Sequence, residues 1–121
     1  MTKLALAAAA AMLLAPATAL ADDLSGTWKI STNANDTDLT ITCSFVQKDR
    51  SLGGTCQRVG AGEQPAPLTG TVEGQAVTWA YDVQFQGQTL HVAFSGTVEG
   101  TTLTGAMNLL DASSKFAAVK Q

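Results

Sequence analysis

The chain has 121 residues, seven of them Lys or Arg and ten Asp or Glu, for a formal charge of −3 at neutral pH. Charge this sparse, with no basic patch, excludes nucleic acid as a partner class. One histidine and two cysteines are too few for a four-ligand zinc site, and no cofactor is implied.

Residues 1–21 read as a secretory signal peptide. Lys3 supplies the charged start, Leu4 to Leu14 the apolar stretch, and Ala19-Leu20-Ala21 a cleavage site before Asp22. Pro16 and the small residues that end the run argue against a transmembrane helix, and no second long apolar segment follows. Residues 22–121 are then a single exported domain, periplasmic or secreted, long enough for one core.

Beyond the leader, strand signals recur between Gly, Asn, Asp and Pro, and no helical period survives. Strands are predicted at about 24–31, 38–47, 52–58, 67–73, 76–86, 89–98, 102–109 and 115–120. Eight consecutive antiparallel strands favour an up-and-down barrel, because closure removes the exposed edges.

In Leu39-Thr40-Ile41-Thr42-Cys43-Ser44-Phe45 the odd positions are large or apolar, the alternation of a half-buried strand. A turn at 48–51 sets Gln47 opposite Leu52, Phe45 opposite Gly54 and Cys43 opposite Cys56. Directly opposed cysteines on antiparallel neighbours can meet disulfide geometry, so a Cys43–Cys56 bond is predicted in an exported chain.

Five copies of one pattern, large–spacer–Gly–small–apolar, begin at Leu24, Leu52, Leu68, Phe94 and Leu103. Each turns Gly26, Gly54, Gly70, Gly96 or Gly105 to the same face as two larger residues, a rule for curvature rather than for chemistry. Glu73-Gly74-Gln75-Ala76, Gln86-Gly87-Gln88-Thr89 and Glu99-Gly100-Thr101-Thr102 each read as a two-residue type II′ loop with Gly first. Counting outward, Trp79 faces Gly70 and Gly96, and Gly96 faces Gly105. The same parity points all seven aromatics inward: Trp28, Phe45, Trp79, Tyr81, Phe85, Phe94 and Phe116.

Connections alternate between two ends. The turns at 48–51, Gly74-Gln75 and Gly100-Thr101 share one end with both termini; 31–38, 59–66, 87–88 and 110–114 share the other, the predicted mouth. The predicted ligand-binding residues there are Ile30, Leu39, Arg58, Tyr81, Val83, Phe85, Leu90 and Leu109, with Leu68 facing in beside them. They form an apolar lining with one cation and one phenol, suited to a small molecule if the barrel keeps a cavity of roughly a few hundred Å³. If the core is filled instead, Arg58 snorkels to water.

His91 is expected to point outward, diagonal to Asp82 at roughly 7–8 Å. No hydroxyl is aligned with it, so no catalytic residue is assigned. Asn33, Asn35, Asp36 and Asp38 offer oxygen ligands suited to calcium but lack the EF-hand spacing, and no metal ligand is assigned.

The Gly26-Thr27-Trp28 start, followed by consecutive antiparallel strands, resembles the calycin barrels: lipocalins, fatty-acid-binding proteins and avidins. In lipocalins the G-x-W tryptophan packs at the closed end beneath a basic residue of the last strand, a part the resemblance gives to Lys120. The avidin pattern is similar at Gly26-Thr27-Trp28, Leu68-Thr69-Gly70 and Phe94-Ser95-Gly96. Its polar biotin-binding positions are Ile30, Val92 and Leu90 here, which would leave biotin's polar atoms unpaired. Leu24, Gly26 and Trp28 also match the L-x-G-x-W start of small periplasmic barrels that inhibit secreted metalloproteases, although only Asp22 and Asp23 precede Leu24 after processing. The L-x-G-T repeats are most similar to those of small secreted bacterial calycin-like barrels of uncharacterised function.

The expected protein is all-β: an eight-stranded antiparallel calycin-like barrel with one cross-strand disulfide. Its expected role is to bind a small apolar or amphipathic ligand at the open end, without catalysis and without a membrane span after processing. The alternative is a protein-interaction or protease-inhibitor barrel that acts through loops 31–38 and 59–66.

Overall fold

A computed structural model of the chain describes residues 23–121 except Asn35 and Glu63, so the predicted signal peptide lies outside the described residues. The strands are β1 (Gly26–Ala34), β2 (Thr37–Lys48), β3 (Ser51–Arg58), β4 (Ala66–Pro67), β5 (Thr69–Glu73), β6 (Ala76–Phe85), β7 (Gln88–Glu99), β8 (Thr102–Leu109) and β9 (Ala112–Lys120). β4 and β5 both pair with β3 and are interrupted only at Leu68, so they act as one stave. Each stave pairs antiparallel with the next, and β1 pairs with both β2 and β9. The barrel is therefore closed and eight-staved.

The Cys43–Cys56 disulfide forms across directly opposed residues of β2 and β3, in the register the 48–51 turn dictates. The turns at Gly74 and Gly100 also lie where expected, with Glu73 opposite Ala76 and Glu99 opposite Thr102. The third Gly turn differs. Gln86 and Gly87 both have positive φ, 52° and 79°, and Phe85 pairs with Gln88. That is the two-residue type I′ geometry, with glycine second rather than first. The β6–β7 register moves by two residues, so Trp79 faces Phe94 and not Gly96.

Cross-strand pairs explain why this register wins. Trp79 and Phe94 stack at 4.6 Å between centroids with planes 4° apart. On the outer face Asp82 meets His91, and the Gln84 amide donates to Thr89 Oγ1 at 2.7 Å. Such pairs contribute about 0.2–1 kcal/mol each over Ala–Ala, and aromatic pairs about 0.5–1.5 kcal/mol beyond their area. A Gly96 partner would offer Trp79 no side chain at all.

Aromatic rings pack across the middle of the interior. Phe45 and Phe116 present edges to Trp79 at 5.1 and 5.6 Å. Phe116 lies opposite Gly105 and over Gly96, where its Cζ would be 3.0 Å from an added Cβ. Thus Phe116, rather than Trp79, covers that glycine pair. Below, Leu24 plugs the closed end. Its carbonyl accepts from Trp28 Nε1 at 2.9 Å, and its own N–H donates to Gln47 Oε1 at 2.8 Å. Lys120 lies in register with Trp28 but runs over Gly26, and its Nζ donates to the Asp23 carbonyl at 3.3 Å. Hydrogen bonds from Ser25 hold the Asp23 carboxyl below the usual carboxylate range, with Lys120 adding to the effect.

Two of the open-end loops are not loops. Ala34 pairs with Thr37 and Leu109 with Ala112, so 31–38 and 110–114 contract to two-residue turns. Positive φ at Asp36 (63°) and Leu110 (57°) makes those turns tight without glycine. Asn33, predicted to sit in a calcium-suited loop, instead donates from Nδ2 to Asp38 Oδ1 across the strand pair at 2.9 Å.

Gly54 is the bend that only glycine permits. Its φ is +118°, and an added Cβ would fall 1.8 Å from the Ser44 carbonyl oxygen; at neighbouring Gly53 nothing lies within 4 Å. Gly54→Ala is expected to cost about 3 kcal/mol or more and Gly53→Ala less than about 1 kcal/mol in urea unfolding. The loop closed by the disulfide spans a sequence separation of 13. Cys43→Ala combined with Cys56→Ala is expected to lower stability by about 3 kcal/mol, and reductant should then have no further effect on the unfolding midpoint.

Candidate binding site at the open end

The end opposite Leu24 carries the Asp36, Gln86-Gly87 and Leu110-Asp111 turns and the connection from Val59 to Pro65. Inside it lies a cleft of about 80 Å³. Seven of the eight predicted residues line it: Leu39, Arg58, Tyr81, Val83, Phe85, Leu90 and Leu109. Ile30 does not. β1 continues for four residues beyond Ile30, which leaves it deep in the core, fully buried and paired with Ile41. Leu68 is likewise buried in the core.

Three lining residues were not anticipated: Ile41, Val92 and Met107. Each is two positions from a predicted one on the same strand face, at Leu39, Leu90 and Leu109. The strand period of two would have found them if the cleft had been extended one layer inward.

The cleft is smaller than a ligand site of a few hundred Å³. The cause is the aromatic floor. Tyr81 stands beside Phe94 at 6.1 Å, and Phe94 stacks on Trp79, so three rings close off the space below. Trp79 Nε1 is buried there without an acceptor, at a cost of about 1–3 kcal/mol. At the lip the expected burial fails: Phe85 is 47% exposed, because its strand ends there. Arg58 pairs in register with Ile41 and is half-buried, with Tyr81 the second polar group of an otherwise apolar lining. The cations Lys48, Arg50 and Lys120 lie at the opposite end.

A second cavity of about 90 Å³ adjoins the first, lined by Ala34, Met107, Leu109, Leu110, Ala112 and Ser114. It exists because the β1–β9 ladder stops at Thr32–Phe116. There Thr32 Oγ1 donates to the Lys115 carbonyl at 2.8 Å, and Ala34 and Ser114 beyond it are unpaired across that seam.

No family model and no curated protein matches the chain. Among solved structures, a redesigned β-barrel, mFAP1, bound to DFHBI is similar with a TM-score of 0.61 and 16% identity, over 81% of this chain and 94% of that one. A mutant of the fluorescent protein UnaG aligns with a TM-score of 0.49 and 11% identity, over 80% of this chain and 95% of that one. The likeness to mFAP1 is one of fold.

His91 departs from its expected place. The two-residue register shift sets it directly opposite Asp82, and Nδ1 lies 2.7 Å from Asp82 Oδ1. Both side chains are well exposed, at 68% and 58%. Among the described residues no hydroxyl is hydrogen-bonded to His91, so the pair lacks the nucleophile of a triad. The contact pins β6 to β7 on the outer face. A double-mutant cycle of His91→Ala and Asp82→Ala should give a coupling of about 1 kcal/mol or less, as for other exposed pairs. A much larger coupling would require a role this geometry does not explain.

Proposed function

We propose that the protein is an exported, non-catalytic binding barrel whose open end takes the apolar part of a small amphipathic molecule. The observation that carries this reading is the cleft: eight of its ten lining residues are apolar, and Arg58 and Tyr81 stand among them. A largely apolar concavity with a few polar groups is how small-molecule sites are built. Its volume of about 80 Å³ sets the scale, since it admits a few carbon atoms while the remainder of the ligand stays at the lip near Phe85. The mFAP1 barrel, solved bound to DFHBI, is an instance of this fold holding a small molecule. Export is supported by the leader read over 1–21 and by the Cys43–Cys56 bond, since disulfides persist in oxidising compartments.

Arg58 is assigned to the ligand's polar end. A hydrogen bond to a charged group contributes about 1.5–3 kcal/mol. Arg58→Ala should therefore weaken ligand retention about tenfold or more, with the unfolding midpoint measured beside it as the control for stability.

Native mass spectrometry of the protein, taken undenatured from its own periplasm, tests this reading. A retained small molecule, reduced in the Arg58→Ala protein, is the expected result. Protein that carries no adduct and binds no neutral amphiphile such as 1-octanol would overturn the reading. A stoichiometric protein partner instead would favour the interaction or inhibitor alternative, which retains only the 59–66 segment as its loop.

A further inference from the structure

We infer that Met107 is a movable partition between the two open-end cavities, and that the ligand is an unbranched alkyl chain that displaces it. The inference rests on the binding role proposed above and names the ligand class.

Met107 and Leu109 line both cavities. Each cavity, at about 80 and 90 Å³, is well below the ~150 Å³ that accommodates a benzene ring. Neither has room to bury a whole ring. A polymethylene chain is narrow enough to enter the first and, once Met107 swings aside, to continue into the second. Methionine is suited to such a partition because it is unbranched, has three rotatable side-chain bonds and adapts to irregular gaps. Met107 is buried to 2% exposure and lines both cavities, the position a partition would need. The far wall is ready-made, because the β1–β9 seam is unpaired beyond Thr32 and is lined there by the small residues Ala34, Ala112 and Ser114.

Leu110 is the second observation. It is 76% exposed and sits at φ 57°, a left-handed conformation that non-glycine residues rarely adopt. The left-handed backbone is the unfavourable feature for a leucine. As part of the second cavity's lining, it would cover the end of a chain that has passed Met107.

Met107 is the only methionine outside residues 1–21. Exported protein labelled with methyl-¹³C methionine therefore gives one methyl resonance, a direct report on the partition. The experiment titrates the straight-chain alcohols from 1-butanol to 1-decanol, with affinity read by calorimetry. Affinity should rise about fourfold per methylene through the whole series, and the Met107 methyl should shift strongly only with the longer alcohols. Met107→Ile, nearly equal in volume but stiff at χ1, should weaken 1-decanol binding at least tenfold more than it weakens 1-butanol binding. Leu110→Ser, a change at an exposed position, should do the same and serves if Met107→Ile does not fold. Parallel length profiles in wild type and variants, or a methyl that responds equally to short and long alcohols, would overturn the inference while leaving the binding role intact. If no alcohol binds the wild-type protein, the inference falls, and the binding role is decided by the adduct test above.

Discussion

The stack of Trp79 on Phe94 is the contact on which the rest of the molecule depends. It joins the two strands of the barrel's longest hairpin, and it selects the type I′ turn at Gln86-Gly87 over the type II′ turn one residue later. A left-handed Gln86 is the local cost of that choice. The return is a ring pair in face-to-face contact at mid-barrel, with Phe45, Phe116 and Tyr81 arranged around it. Because the stack sits at mid-barrel, it also decides where empty space can be. The two interior cavities lined by Met107 and Leu109 both lie at the open end.

The glycines make that filling possible. Gly96 and Gly105 face each other, and an added Cβ on Gly105 would fall 2.1 Å from the Ser95 carbonyl oxygen and 2.5 Å from Gly96 Cα. Two strands can approach and bend so sharply only because neither carries a side chain there, and Phe116 then occupies the concavity. Curvature and ring packing are thus one device. The small residue permits the bend and the large one opposite restores the buried apolar area.

What could be read in the residues follows the distinction between parity and register. Parity depends only on the alternation of the pleat, and a slip of two residues preserves it. The inward set therefore survives the changed turn, and seven of the eight named lining residues do meet at one cleft. Register depends on the φ of single turn residues. Nothing in Gln86-Gly87-Gln88 distinguishes a loop with Gly first from one with Gly second; the long-range stack of Trp79 on Phe94 does. The 31–38 and 110–114 segments resemble loops for a related reason. Their Asn, Asp and Ser residues suit turns, yet Asp36 and Leu110 accept left-handed conformations and let the strands run almost to the turn. Cavity volume is the least legible quantity, since it is the small difference between what closure encloses and what six buried rings fill.

The two ends of the barrel are finished differently, and the difference bears on function. At the closed end Leu24, Gln47, Ser25, Trp28 and Lys120 satisfy one another's polar groups around a buried plug. At the open end three turns are equally tight, but none of the described residues plugs the cleft they surround. Single exposed apolar residues such as Val46 and Val119 are ordinary on any protein surface. Phe85 is different, because it is continuous with an apolar cleft that runs inward through Leu90 and Val83 to Met107. Continuity from an exposed lip to a buried, conformationally adaptable side chain is the geometry that the proposed binding role requires.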